Sequence, residues 1–127
     1  MTEQRTRFDF EAMKNAIESG DADALVALYD DEAEVRIVNK NTSPSEPTIL
    51  RGKDEVSAML RDVCARDMTH RIESEVVGES RVAFLEACEY PDGTKVLSAI
   101  SAELRDGKIH HQTSVEAWDE PGEEGMQ

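Results

Sequence analysis

The chain has 127 residues, of which 39% are hydrophobic and 33% charged, and its formal net charge is −14 at pH 7. This length suffices for a real hydrophobic core, so we expect one domain over residues 1–127, with loose ends at 1–7 and 120–127. The acidic excess argues against nucleic-acid and anionic-membrane partners, because both are bound through lysine and arginine. No apolar stretch is long enough to span a membrane and no signal-peptide pattern is present, so we expect a cytoplasmic protein.

The first half of the chain predicts three helices and two strands. In three segments the apolar residues recur at helical spacing, and Gly20, Asp21 and Gly52 mark where these helices end or begin. Between the second and third of them, apolar and charged residues alternate, which is typical of a strand. The predicted elements are a helix over 8–19, a short helix from 21 to 29, a strand over 33–38, an extended piece over 48–50 and a helix after Gly52.

The second half predicts four antiparallel strands, over 71–77, 81–90, 95–105 and 108–118. They are separated by the turn sequences GES, PDG and DG. Assuming the shortest loops, the strands share one apolar face on which three amphipathic helices can pack, which defines an α+β fold. The assumed registers place Ser98 between Glu86 and Val115, and they place five pairs side by side: Ile72 with Glu86, His70 with Cys88, Phe84 with Ile100, Ile100 with Thr113, and Ala102 with His111.

Three segments follow one another in the order of the predicted elements: AIESGDADALVALYDDEAEVRI, LRGKDEVSAML and ELRDGKIHHQTSVEAWDE. In this order and spacing, from Phe8 to about Asp119, the chain resembles the nuclear transport factor 2-like superfamily. Within it, the chain is most similar to SnoaL-like proteins and ketosteroid isomerases. The resemblance implies a cone-shaped fold, in which a curved sheet wraps a helix and leaves an apolar pocket. It also implies a homodimer formed through the outer face of the sheet.

The residues that ketosteroid isomerases use for catalysis can be checked against this chain through the segment GDADALVALYDDEAEV. The position of their general base is Ile37, and that of their oxyanion-hole tyrosine is Met13. The position of their protonated aspartate falls near Ser101 or Ala102. Because none of these residues can do the corresponding chemistry, we do not expect steroid isomerisation by that mechanism.

Glu86 is the strongest candidate for a functional residue, because it lies in the middle of the apolar face of its strand. A lone carboxylate in an apolar pocket is costly, so Glu86 should find hydrogen-bonding partners. Ser98, predicted opposite on the facing strand, is a candidate donor of one such hydrogen bond. Glu86 then serves as a general acid/base or holds a ligand. The alternatives are that it lies at the open rim or pairs with an arginine.

His70 and His111 are predicted on the same face as Glu86, and either is a candidate partner for proton transfer. The alternative for each is a hydrogen-bonded core histidine, and a bulge in the last strand would displace His111. The sequence contains no HxH or HExxH motif, and the proximity of His70, Glu86 and Cys88 depends on assumed registers, so we expect no metal. We expect no cofactor either. The predicted ligand-binding residues are Tyr29, Ile37, Phe84, Tyr90, Ser98, Ile100 and Thr113.

Three functions are compatible with these patterns. The leading one is a pocket that binds a small hydrophobic molecule and transfers a proton within it, as in isomerases, cyclases or dehydratases. The second is a non-catalytic ligand-binding module, and the third is a dimerisation or partner-binding domain whose pocket is filled by its own side chains. A cavity with two convergent titratable groups favours the enzyme. The predicted dimer face is centred on Ala83, Leu85, Ala87, Leu97 and Ala99, with Arg81, Glu89, Glu103, Gln112 and Trp118 around them.

Overall fold

The computed structural model describes residues 7–119, so most of the two predicted loose ends lie outside the described residues. Three helices pack on one curved sheet of six strands. This arrangement confirms the predicted α+β fold. None of the described helices is long and apolar enough to cross a membrane. In chain order the elements are α1 (Phe10–Ser19), α2 (Ala22–Val26), β1 (Tyr29–Val38), β2 (Thr48–Arg51), α3 (Gly52–Ala65), β3 (Thr69–Val77), β4 (Arg81–Glu89), β5 (Lys95–Arg105) and β6 (Lys108–Trp118).

Local signals in the sequence position the first two helices. Gly20 ends α1 in the left-handed conformation at φ 73°, where a residue without Cβ is favoured. Asp21 caps α2 by accepting a hydrogen bond from the backbone N–H of Ala24. The second helix is shorter than predicted, because Tyr29 begins β1 and pairs with Ile109 of β6. The neighbouring strand therefore overrides the helical spacing of the apolar residues before Tyr29.

The sheet order is β2-β1-β6-β5-β4-β3, in which β1 and β6 run parallel and the other neighbours antiparallel. The register of β4 against β5 is as predicted, with Glu86 opposite Ser98. On the other side of β4, Ile72 lies opposite Glu86 and His70 opposite Cys88, also as predicted. Although β3 has a register shift between Glu73 and Val76, the pairs that carry the candidate site are unaffected.

The predicted register of β6 is wrong beyond its first residues. Leu104 pairs with Ile109 as expected, but Glu103 pairs with His111, so one extra residue lies in β6 at His110. Such a bulge reverses which side chains point inward along the rest of the strand. In place of the predicted partners, Ser98 lies opposite Glu116, Ile100 opposite Ser114 and Ala102 opposite Gln112.

The hydrophobic core lies between α1, α3 and the concave face of the sheet. Phe84 belongs to this core: its ring packs edge-to-face on Phe10 of α1, with the ring centroids 5.7 Å apart and the planes at 67°. Tyr29, Val35 and Ile109 are almost fully buried where β1 meets β6. Toward one end of the cone this packing gives way to a cavity.

Candidate functional site

A cavity of about 110 Å³ lies between the helices and the concave face of the sheet. Apolar side chains of all three helices form one wall, and strand residues form the other. Of the residues predicted for the site, Tyr29, Ile37, His70, Glu86, Tyr90, Ser98 and Ile100 line this cavity.

Three predicted site residues do not line the cavity. Phe84 lies deeper, in the core. His111 and Thr113 are placed by the β6 bulge on the other face of the sheet, away from Ser114 and Gln112, which take the cavity positions. The side chain of His111 is 50% exposed, and its nitrogens lie 3.5 Å from Glu103 and 3.8 Å from Glu34. The prediction that His111 and Thr113 face the pocket is therefore wrong.

His70, Glu86 and Cys88 form a compact polar cluster on the sheet side of the cavity. His70 of β3 lies directly opposite Cys88 of β4, and Glu86 precedes Cys88 by two residues, so all three share one face. Nδ1 of His70 lies 2.8 Å from Oε2 of Glu86, with the two side chains 6% and 14% exposed. Glu86 is tolerated on an apolar face because it has a histidine partner, rather than the arginine or the open rim considered from the sequence.

The thiol of Cys88 completes the cluster. Its Sγ lies 3.3 Å from Nδ1 of His70 and donates a hydrogen bond to Oε2 of Glu86 at 3.5 Å. Because Cys88 and Glu86 meet the same nitrogen of His70, they cannot form a cysteine–histidine–glutamate relay, which needs both ring nitrogens. Burial, reinforced by the nearby charge of Glu86, raises the pKa of Cys88 to about 12, so it is a thiol at neutral pH. This geometry does not support Cys88 as a nucleophile.

The raised pKa of Cys88 makes the protein sensitive to alkali. Between the ordinary thiol pKa of 9.0 and about 12, the unfolded chain has lost a proton that the folded chain retains. The free energy of unfolding should therefore fall as the pH rises through this window. The serine of Cys88→Ser does not titrate in this window. Denaturant melts between pH 8.5 and pH 10.5 should therefore show a smaller decline in the free energy of unfolding for this variant than for the wild type. Equal slopes would contradict a buried Cys88 thiol.

A second polar group lies on the β6 side of the cavity. The hydroxyl of Tyr29 donates to Oε1 of Gln112 at 2.6 Å, and Nε2 of Gln112 donates to Oγ of Ser114 at 3.1 Å. Burial raises the pKa of Tyr29, so its hydroxyl keeps its proton and acts as a donor. Gln112 and Ser114 were missed in the sequence because the assumed register pointed them outward. The polar spacing Gln112, Ser114, Glu116 is the signal that could have revealed them.

Aromatic and charged side chains line the more exposed end of the cavity. The rings of Tyr90 and Trp118 stack with centroids 6.0 Å apart, and Arg66 donates to the hydroxyl of Tyr90 at 3.2 Å. Glu116 accepts hydrogen bonds from Asn39 at 3.1 Å and from the indole N–H of Trp118 at 3.3 Å. The cavity thus has an apolar interior and carries two carboxylates, Glu86 and Glu116, on opposite sides of Ser98.

These features define an open-ended cone with a mainly apolar cavity and a largely buried contact between His70 and Glu86. The sequence matches the family described as SnoaL-like domain over residues 10–112, and the chain belongs to this family. The resemblance found in the sequence is thereby confirmed. None of the curated proteins matches the chain.

Solved structures share the fold at low sequence identity. A nuclear transport factor 2-like protein of unknown function from Mesorhizobium loti has a TM-score of 0.73 and 14% identity, covering 94% of this chain and 98% of that one. A similar protein of unknown function from Burkholderia xenovorans has a TM-score of 0.70 and 19% identity, covering 92% and 88%. A Mycobacterium tuberculosis protein, crystallised with estradiol-17beta-hemisuccinate, has a TM-score of 0.65 and 16% identity, covering 83% and 88%.

Proposed function

We propose that the protein binds a small, largely apolar molecule in the cavity and transfers a proton within it, with Glu86 as the acid/base and His70 as its partner. The observation that carries this proposal is the 2.8 Å contact between Nδ1 of His70 and Oε2 of Glu86 in a mainly apolar cavity. Two titratable groups that meet in a cavity favour an enzyme over a plain binding module.

The contacts of Glu86 leave part of its carboxylate for a substrate. His70 and Cys88 both meet Oε2, and within the described residues Oε1 has no hydrogen-bonding partner. Oε1 is therefore the oxygen that takes a proton from an acidic C–H or returns it elsewhere on the ligand. An N–H on Nδ1 of His70 donates to Oε2, which holds the carboxylate in place during the transfer. Isomerisation, cyclisation and dehydration all need such a step.

Two serine hydroxyl groups on the same face as Glu86 can donate hydrogen bonds to an oxygen of the ligand. Ser98 is buried directly opposite Glu86, and Ser114 is buried one row further along the same face. A hydroxyl in this position donates a hydrogen bond to the oxygen on which negative charge develops when a neighbouring carbon loses its proton. A compound with a carbonyl group beside an acidic C–H fits this pair of functions.

The volume of the cavity supports a small ligand. A cavity of about 150 Å³ holds one benzene molecule, and the cavity of this protein has about 110 Å³. This volume encloses about one ring of a ligand. It agrees with the absence of the ketosteroid isomerase residues at Met13 and Ile37.

We test the proposal with small cyclic ketones in D₂O, following the exchange of their acidic C–H hydrogens by NMR. The protein should accelerate this exchange, and Glu86→Gln should reduce the acceleration by about 100-fold or more, the usual contribution of a general base. Glu89→Gln is the control, since it makes the same charge change on an exposed residue of the same strand. It should leave the rate unchanged.

The same experiment separates the enzyme from the binding module. Ketones that shift the NMR signals of cavity residues without any catalysed exchange would assign the protein to ligand binding alone. If no compound of this class shifts those signals, both functions fail.

We also propose a homodimer formed through the outer face of the sheet. The corrected register of β6 makes this face more apolar than predicted, because Val115 and Ala117 lie outside while Gln112 and Trp118 lie inside. Leu97 and Val115 are large apolar residues that are 45% and 49% exposed. Exposed apolar residues that adjoin one another are typical of a contact surface. Six apolar residues form two adjoining rows across three strands: Leu85, Ala99 and Val115, and beside them Ala87, Leu97 and Ala117.

The cytoplasmic location stays a prediction from the sequence.

A further inference from the structure

His70, Glu86 and Cys88 bring three metal-binding atoms close together. Within the part of the chain that the structure describes, Nδ1 of His70, an oxygen of Glu86 and Sγ of Cys88 all lie within 4.8 Å of one another. Their individual separations are 2.8 Å between nitrogen and oxygen, 3.3 Å between sulfur and nitrogen, and 3.5 Å between sulfur and oxygen. Imidazole, carboxylate and thiolate are the three side-chain types that bind zinc in proteins.

We propose that these three side chains form a binding site for one divalent ion of the zinc type, whose fourth position opens into the cavity. Three protein ligands and one free position are the arrangement of catalytic zinc sites, whereas structural sites use four protein ligands. The thiolate and imidazole select zinc-like ions over magnesium and calcium, which take oxygen ligands.

The observed distances need little change to hold such an ion. Zinc–ligand bonds of about 2.0–2.3 Å in tetrahedral geometry put the ligand atoms roughly 3.4 Å apart for nitrogen and oxygen, and roughly 3.6 Å for pairs with sulfur. The N···O pair must therefore open by roughly 0.6 Å from its 2.8 Å hydrogen bond, and the sulfur pairs by roughly 0.3 Å or less. Small side-chain rotations accomplish this without moving a strand.

The backbone keeps the three ligands together whether or not an ion is present. His70 and Cys88 are a directly opposed pair of neighbouring strands, and Glu86 follows on the same face of β4. All three side chains are also largely withdrawn from water, which favours an ion that exchanges its hydration shell for protein ligands. This pairing across strands leaves no short sequence motif, which is why the sequence predicted no metal.

Protons balance in a simple way when the ion binds. The thiol of Cys88 releases one proton to solvent, neutral His70 carries its hydrogen on Nε2 instead of Nδ1, and Glu86 binds as a carboxylate. The ion thus replaces the hydrogen bonds that link the three side chains without it. This inference does not rest on the proposed proton transfer. The ion-bound cluster and the hydrogen-bonded cluster without an ion cannot be present in one molecule at the same time.

The test uses the full chain, treated with a chelator, dialysed, and titrated with Co²⁺ and then Zn²⁺. We expect one equivalent of Co²⁺ to give the thiolate-to-cobalt absorption in the near ultraviolet and the visible bands of a tetrahedral site, and Zn²⁺ to abolish both. Cys88→Ser should eliminate the thiolate absorption and weaken Zn²⁺ binding by about 100-fold or more, since each ligand of a zinc site contributes several kcal/mol.

Cys64→Ser is the matched control, because Cys64 is the other free cysteine and also lines the cavity. It should bind both ions as the wild type does. His70→Gln tests the second ligand independently and should also weaken Zn²⁺ binding, with circular dichroism checking that each variant is folded. A wild type without the thiolate absorption would overturn the site, as would equal binding by Cys88→Ser and Cys64→Ser.

Discussion

Phe84→Ala should lower the free energy of unfolding by about 3–5 kcal/mol, the range for removing an aromatic side chain from a packed core. Phe84 is 3% exposed, and its ring contacts Phe10 edge-to-face. The substitution removes this aromatic contact between α1 and the sheet and leaves a cavity, because the other contacts of α1 hold the two elements apart. Denaturant melts of both proteins measure the loss.

The control for this substitution is Val77→Ala at the end of β3, where the side chain is 50% exposed. It should change the free energy of unfolding by no more than about 0.5 kcal/mol. The measurement also tests the position of Phe84, which the sequence placed in the ligand pocket. A loss for Phe84→Ala below about 1 kcal/mol, far under the range for packed aromatic residues, would mean that its ring borders empty space instead of the core.

The fold could be predicted from the sequence because its strongest signals are local. Gly20 and Asp21 mark helix ends by backbone conformation and side-chain capping, and both do so in the structure. The turns around Gly93 and Gly107 put their glycines at φ 93° and 78°, a region that favours this residue. Because these turns fix which strands are neighbours, the pairing of β4 with β5 and of β5 with β6 could be predicted from them.

The candidate site could be predicted only where the strand registers were regular. Glu86 was placed beside Ser98 and near His70 because β3, β4 and β5 keep their register through these positions. The proposed roles of Glu86, Ser98 and His70 stay predictions. His70 was one of two candidate partners of Glu86, but the sequence could not choose between His70 and His111, since distances between side chains on neighbouring strands depend on register, rotamers and the twist of the sheet.

The last strand shows why the rest could not be predicted. Apolar residues were assumed to point inward, which favoured Val115 and Ala117 over Gln112 and Ser114. The bulge at His110 reverses this order. The polar residues are accommodated inside because Gln112 bonds to Tyr29 and Ser114. The rule that apolar residues point inward does not hold for a cavity lined by polar groups. It therefore fails at the part of the sheet where a functional site is expected.

Leu97→Glu should convert the proposed homodimer into a monomer at micromolar concentration, measured by sedimentation. Leu97 lies in the exposed apolar patch of the outer sheet face, between Ala87 and Ala117. In a two-fold dimer the same patch of both copies meets, so this substitution introduces two like charges into one contact. Burying them without partners costs several kcal/mol, which is enough to shift the dissociation constant by 100-fold or more, since each factor of ten corresponds to about 1.4 kcal/mol.

Val76→Glu is the matched control, since Val76 is 68% exposed but lies on β3, outside the two apolar rows. It should leave the dimer intact. If Val76→Glu dissociates the dimer while Leu97→Glu does not, the contact lies at the β3 end of the sheet, and a monomeric wild type would contradict the dimer altogether. The outer face thus tests the corrected register as well, because only a bulged β6 places Val115 and Ala117 beside Leu97 and Ala99 in one continuous apolar surface.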